Sequence, residues 1–478
     1  MATTLTFFQL NDVHGYLNLH QELFYGPAGP EYRRCGGYAR IATLLGALRQ
    51  RYPASLLFDG GDTFHGTRPV VATQGDILPD ILNELGIAAM TAHWDFAYGP
   101  AHLNELLGRL HYPLLAANVF HVDSGALAYA PTLLLEVAGL RVGIVGLACP
   151  IVDKTMPAHF STGLRFTNGL AELPGHVQRL RMEEQVDVVI LLSHCGFPQD
   201  VALLEACPGI DVCLSSHTHN RLYAPFRVGD ALVIQSGSHG SFLGRLTLTV
   251  ENGRVTDHAH ELHEIGESLV PDAALKARID AALVPFANLD EVVGITATAL
   301  HRGTSVECPA DDFLLASLQA RIPADVYFSN GWRYGAPIVP GPVRLGDLYD
   351  LVPMDPEIET VELTGAELRE LLEKNLEGTY SQNPLHQMGG YVKRALGLRA
   401  YFKAENPQGS RLQTVFVQGQ PLDPALTYTA AFITSQGVPH QFGRNRQKTG
   451  EFPIAAMRAY LAAHQPLVVH PHNTFTVV

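Results

Sequence analysis

Short apolar runs recur through the first half of the chain, each followed by a polar loop and then an amphipathic segment. Residues 5–10, 55–58, 113–117, 142–146, 186–192 and 212–214 read as buried strands. Between them, residues 38–51, 74–85, 101–110 and 170–184 carry apolar side chains at helical spacing. Strand, loop and helix repeated in this order constrain the chain to an α/β sandwich, in which ligands collect on loops leaving the C-terminal ends of strands. The stretch that follows alternates apolar and polar residues on either side of Glu251-Asn252-Gly253, a hairpin signal.

The second half reads as a separate unit. Residues 271–286 have helical apolar spacing without an evident partner, which places an interdomain helix there. A second domain then starts near Glu291, with helices expected at 311–320 and 365–376 and strands at 326–329, 412–417 and 428–433. The expected division is 1–266, a linking helix within 267–290, and 291–478. A chain of 478 residues gives each domain enough length for its own core.

Charge limits the partners. With 47 acidic residues against 33 Lys and Arg, the net charge of −14 argues against a nucleic-acid polymer or an anionic membrane, both of which are held by clustered basic residues. A small anion in a local positive site is still compatible. Six cysteines without C-x-x-C spacing read as free thiols of a reducing compartment. The N-terminus has neither a basic n-region nor an apolar h-region, so the expected location is cytoplasmic, although a chain trimmed of its leader would look the same. No apolar run reaches the length of a membrane-spanning helix.

The 22 histidines are more informative, because several cluster where strands end. Asn11-Asp12-Val13-His14 follows FFQL, Gly60-Gly61-Asp62 follows LLFD, Ser193-His194 follows VVILL, and His217-Thr218-His219 follows VCLSS. Residues two apart in extended backbone point the same way, so Asp12 with His14, and His217 with His219, can each aim at one point. Neutral imidazole and carboxylate together form the ligand set of borderline divalent metals such as zinc, manganese or iron.

The order D-x-H, G-D, L-S-H and H-T-H, each after a strand, resembles the dinuclear metallophosphoesterases, in particular the 5′-nucleotidase family. The run Cys35 to Arg40, the run Ala117-Asn118-Val119, and the second-domain stretches LVPMDPEIETVELTGAELRELLE and SRLQTVFVQGQPLD are similar to blocks of the same family. The resemblance implies a four-layer α/β metallophosphoesterase sandwich and a C-terminal α+β substrate-binding domain joined to it by a helix. It implies two divalent ions, manganese or zinc, with Asp12, His14 and His219 on one, His194 and His217 on the other, and Asp62 bridging. Two such ions ~3.5–4 Å apart activate a water and stabilise the attacking and leaving oxygens of an in-line displacement. A phosphate ester, with nucleotides as the default class, is the substrate so implied.

One block departs from the family. Where nucleotidases have G-N-H-E-F-D-Y-G, this chain has Ala92-His93-Trp94-Asp95-Phe96-Ala97-Tyr98-Gly99. Aligned without a gap, His93 replaces the metal-binding Asn, Trp94 the catalytic His, and Ala97 the Asp that orients it. A one-residue slip makes His93 the catalytic histidine instead, at the cost of the downstream match. The variant block is similar to that of the thiosulfohydrolases of the bacterial sulfur-oxidising system, whose substrate rides on a sulfur-carrier protein. The run Ser329 to Gly335 and the segment NLEGTYSQNPLHQMGG resemble the same group.

In the second domain Arg333 is the candidate anion clamp, since a guanidinium offers phosphate or sulfate a bidentate fork, and Asn330 accompanies it. The resemblance assigns base stacking to Tyr391, after Gly389-Gly390, and to Phe442. Asp62, His93 and Arg333 are the catalytic candidates. Without the His–Asp pair, help worth ~10²–10⁴-fold is missing, so slow turnover of ordinary nucleoside monophosphates is expected.

Overall fold

The apolar runs pair as parallel neighbours. In the computed structural model, which describes residues 2–478, Thr3–Leu10 lies beside Ser55–Asp59, and that strand beside Ile87–Met90, all parallel. The antiparallel pair Phe242–Glu251 and Arg254–Glu264 completes this five-stranded sheet on the other side of Thr3–Leu10. Its turn falls at Asn252 and Gly253, with φ of 51° and 70°, as a two-residue hairpin turn of this twist requires. A six-stranded sheet is built around the parallel strands Leu140–Leu147, Val188–Ser193, Val212–Leu214 and Ala231–Ile234. Leu5, Phe7, Leu246 and Leu248 of the first sheet share one buried core with Ile144, Ile190, Leu192 and Leu214 of the second. Each such side chain contributes about 1.5–3 kcal/mol on burial. Helices cover the outer faces, giving the four-layer α/β sandwich.

Proline and glycine account for the local departures from expectation. Residues 113–117 form only isolated bridges, Met90 with Leu114 and Leu115 with Ala130; Pro113 has no N–H for a ladder. The helix expected over 74–85 is reduced to Pro79–Asn83, because Gly75 takes φ 88° and Pro79 can open a helix but not continue one.

The chain divides into two compact units, Met1–His20 with Arg33–Pro285, and Gln21–Tyr32 with Phe286–Val478. The helix read as linking the domains, Ala273–Leu283, lies inside the first unit. Asp272 caps it by accepting from the Leu275 N–H, and it packs on the helix Tyr38–Arg51, with Leu275 and Ile279 buried. In the second unit a five-stranded sheet runs in the order Arg394–Leu396, Val326–Ser329, Thr427–Phe432, Glu359–Thr364, Arg444–Lys448. The helix Gly365–Tyr380 packs beside it and opens on a capping box of Thr364 and Glu367. This is the expected α+β domain. All six cysteines are buried free thiols. Among the described residues no helix is long and apolar enough to cross a membrane.

Candidate metal centre

Parallel pairing sends the loops after Leu10, Asp59 and Met90 out of the same end of one sheet, and those after Ser193 and Leu214 out of one end of the other. Those loops deliver Asp12 and His14, Asp62, His93, His194, and His217 and His219. Five of these residues hold a left-handed backbone: Asp12 (φ 52°), His14 (51°), Asp62 (57°), His217 (73°) and His219 (57°). Such conformations cost non-glycine residues roughly 1–3 kcal/mol each and persist only where neighbours enforce them. Here the Asp12 N–H donates to Gly61 O (2.9 Å), the His14 N–H to Asp62 O (2.8 Å), and the His217 N–H to both Asp12 carboxylate oxygens (3.1 and 3.0 Å). Gly61 must be glycine: its φ is 89°, and a Cβ there would stand 2.8 Å from the Thr91 carbonyl oxygen.

Two clusters form, Asp12, His14, Asp62 and His219, and Asp62, His93, His194 and His217, sharing Asp62. Asp62 Oδ2 lies 3.5 Å from His14 Nε2 and 3.3 Å from His194 Nε2, while its Oδ1 lies 3.3 Å from His93 Nδ1. His219 Nε2 stands 3.3 Å from both Asp12 Oδ1 and His14 Nε2. The structure therefore brings all seven sequence-derived ligand candidates together, His93 among them.

The donor set fits divalent cations. Carbonyl oxygens of Gly60 and His65 lie 2.5 and 3.1 Å from Nδ1 of His194 and His14, which puts the proton on Nδ1 and turns Nε2 to the cluster. His93 Nε2 is buried with no hydrogen-bond partner. Burial opposes ionisation of Asp62, yet His93, His194 and His14 hold its carboxyl well below the usual range. Burial drives His14 down to about 3; burial also opposes charge on His194, but the carboxylates of Asp62 and Asp12 outweigh it and raise the imidazole to about 10. Two ionised carboxylates buried among these imidazoles call for positive charge, and the nitrogen and oxygen donors suit a borderline metal.

Asp95, not singled out from sequence, organises the loops. Its fully buried carboxylate accepts from the backbone N–H groups of Asp62 (3.0 Å), Thr63 (2.9 Å), Phe64 (2.9 Å) and His93 (3.0 Å), tying the Asp62 loop to the His93 loop. The signal available was an acid between apolar Trp94 and Phe96, which has to find partners if buried. Trp94 donates its backbone N–H to Asp62 Oδ1 at 2.7 Å. Asn118, from a family-like block, is structural: it donates to the Ala148 and Thr167 carbonyls and accepts from the Ala148 N–H.

In the second unit Asn330, Arg333 and Tyr391 come together. Asn330 Nδ2 and Trp332 Nε1 both donate to Gln436 Oε1 (3.1 and 3.2 Å), and Arg333 donates to Gly390 O (3.2 Å) with its guanidinium 5.0 Å from the centre of the Tyr391 ring. Gly331 permits this, since a Cβ there would meet Tyr391 O at 2.5 Å. Phe442 is a correction to the sequence reading. It is buried in the hydrophobic core with Val361, Leu363 and Val438, and Lys374 Nζ stands 4.9 Å from its ring centre, so it offers no open face for stacking.

A two-sheet α/β sandwich carrying two His/Asp clusters on a shared carboxylate defines a candidate dinuclear metal centre. Residues 286–435 match the family model described as the 5′-nucleotidase C-terminal domain. The chain is 26% identical to the 5′-nucleotidase of Diplobatis ommata over 98% of its own length and 88% of that protein's. It superposes on the sulfate thiohydrolase SoxB of Thermus thermophilus with a TM-score of 0.92 and 26% identity, covering 99% of this chain and 96% of that one. A 5′-nucleotidase precursor from Thermus thermophilus shares the fold, with a TM-score of 0.86, 23% identity and coverage of 100% and 99%. The chain is thus an enzyme related to the 5′-nucleotidases, with a SoxB-like variant of their metal-site block.

Proposed function

We propose that the chain hydrolyses phosphate esters, with nucleotides as the default substrate class, and takes two divalent ions, manganese or zinc. The observation that carries this reading is the pair of His/Asp clusters sharing Asp62. Bound there, two divalent ions supply activation of a water and stabilisation of charge on the attacking and leaving oxygens. The chain's own contribution is to hold that pair. Asp12 and Asp62 provide the anionic ligands, the Gly60 and His65 carbonyls fix the imidazole tautomers, and Asp95 locks the two loops in register. On the second unit Asn330 and Arg333 are a proposed anion-binding pair, the guanidinium supplying charge that does not titrate.

The test is a panel of phosphomonoesters and phosphodiesters, with manganese, zinc and cobalt added in turn and phosphate and sulfate release measured side by side. Metal-dependent phosphate release supports the reading; none with any metal refutes it. A second reading, release of sulfate from a sulfonated thiol, including one on a sulfur-carrier protein, is favoured by His93-Trp94 and by the likeness to SoxB. Sulfate release from a cysteine S-sulfonate peptide, with phosphate esters inert, decides for it.

A further inference from the structure

Two of the three imidazoles in the cluster of Asp62, His93, His194 and His217 come from neighbouring parallel strands. Ile190, Leu191 and Leu192 pair in register with Val212, Cys213 and Leu214, and the pairing of these two strands stops there. His194 and His217 lie just beyond that point, where the ladder no longer sets their separation. Their rings nevertheless stand 5.3 Å apart, at 5.1 and 4.9 Å from the ring of His93.

Asp200 bridges the two segments. It lies in the first turn of the helix Phe197–Ala206, and Asp200, Ser193 and Ser215 are all fully buried. Each serine hydroxyl has one proton to give, and each already accepts from another group: Ser193 Oγ from the Cys195 N–H (3.1 Å), Ser215 Oγ from Gln235 Nε2 (2.8 Å). Both protons therefore go to Asp200, that of Ser193 to Oδ1 at 2.5 Å and that of Ser215 to the same carboxyl. Gln235 extends the bridge to either side of His217, donating also to Ser216 O (2.9 Å) and accepting from Thr218 Oγ1 (3.1 Å). Burial pushes the Asp200 carboxyl up to about 7, although the two serines and the charge of His194 act to lower it. Its Oδ2 is buried without a hydrogen-bond partner. An unsatisfied oxygen of this kind costs about 1–3 kcal/mol, so Asp200 is a poor way to stabilise the fold and a direct way to tie two segments together.

Asp95 joins the loop of Asp62 to that of His93, and Asp200 joins the segment of His194 to that of His217. All four ligands of this cluster thus hang from two buried acids. The other cluster is held differently, by backbone N–H bonds from Asp12 and His14 to the carbonyls of Gly61 and Asp62. We infer that Asp200 is a positioning residue for the metal ion of the Asp62, His93, His194 and His217 site, which depends on the Ser193–Asp200–Ser215 bridge while the site of Asp12, His14 and His219 does not. The inference rests on the two-metal reading of the Asp62 clusters and names what holds one of the two ions. Loss of such an outer partner lowers metal affinity by about 10- to 100-fold.

The test is manganese binding to the chelator-stripped full chain, followed by calorimetry and by electron paramagnetic resonance. Two ions sharing a carboxylate give a coupled signal, and a lone ion gives an uncoupled one. The wild type is expected to take up two ions and to end coupled. Asp200→Ala is expected to bind one ion within about threefold of the wild-type affinity and the other ~10- to 100-fold more weakly, so that the uncoupled signal persists. Asp200→Asn keeps Oδ1 as an acceptor for the serines and places its NH₂ where Oδ2 has no partner, so it should restore the second ion and the coupled signal. Ser193→Ala and Ser215→Ala each cut one arm and leave Asp200 in place. They should weaken the same single ion, which keeps the inference testable if Asp200→Ala does not fold. Both ions bound at wild-type affinity in Asp200→Ala or in both serine variants overturns the inference, as does equal weakening of the two ions. Asp200→Asn behaving as Asp200→Ala also overturns it, because the effect would then belong to the charge and not to the bridge. A wild type that takes up no ion sinks the two-metal reading itself, whereas a coupled pair in the wild type and an equally tight one in Asp200→Ala sinks only this inference.

Discussion

Replacing Asp95 with Asn keeps the shape of the side chain and halves its capacity to accept. Asp95 takes four backbone N–H bonds of 2.9–3.0 Å, two at each oxygen: Oδ1 from Thr63 and Phe64, Oδ2 from Asp62 and His93. In Asn one oxygen becomes an NH₂ group that faces two donors. A buried N–H left without an acceptor costs about 1–3 kcal/mol, so two give on the order of 2–6 kcal/mol. Removing a charge that burial already disfavours recovers part of this, which leaves roughly 2–3 kcal/mol expected. Burial and the neighbouring Asp62 charge do raise the Asp95 carboxyl above its usual range, in keeping with that offset. The assay is urea unfolding, read as a lower midpoint at unchanged slope, together with metal content per chain. Metal retention should fall as well, because the lost bonds hold the loops of Asp62 and His93. Asp76→Asn, which breaks only the exposed pair with Arg109, is the control and should shift little. An Asp95→Asn protein with the control's midpoint and full metal content would refute the reasoning.

Three further outcomes follow from the second unit. Phe442→Leu should cost roughly 1–2 kcal/mol as a large-to-small core change and leave KM for AMP within about twofold, since the ring is core and not platform; a large rise in KM at unchanged stability would count against this. Asp311→Ala should cost ~3–5 kcal/mol, because Asp311 is buried between Arg302 and Arg394, whose guanidiniums lie 3.2 and 3.3 Å from it. An unfolding midpoint equal to that of wild type would contradict it. Lys393, buried with its Nζ on Gln436 O, is pushed down from 10.5 to about 7 by burial. Between these values the unfolded chain carries the proton and the native state does not. Stability contributed by this group should therefore rise with pH across that window, and Lys393→Met should flatten the rise; an unchanged pH slope in the variant would show that another group is responsible.

The ligands were legible because residue type and position coincided. Aspartate or histidine directly after an apolar run is unusual enough that Asp12, His14, Asp62, His194, His217 and His219 stood out, and parallel pairing then brought their loops together. Asp95 was not, because its role lies in four N–H groups converging from two loops, which no residue spacing encodes. His239 is similar: its N–H donates to Asp12 O at 2.7 Å and its φ is 59°, both properties of the folded backbone. The helix Ala273–Leu283 looked unpartnered because the face it covers belongs to Tyr38–Arg51, far away in sequence. Residues 20–35 went unread because the two-stranded sheet of His20–Gly26 and Gly29–Cys35 has little apolar contrast in its second strand. Phe442 was misread because an aromatic ring in a loop suits a platform or a core equally well, and only packing decides between them.

The central claim is that Asp62 joins two metal sites on which hydrolysis depends. Its most direct test is metal content per chain and phosphate release from p-nitrophenyl phosphate, measured together on the wild type, the chelator-stripped chain and Asp62→Ala. The account predicts two divalent ions per wild-type chain, and loss of both metal and phosphate release in Asp62→Ala and after stripping. Phosphate release at the wild-type rate from either of those two proteins would contradict it.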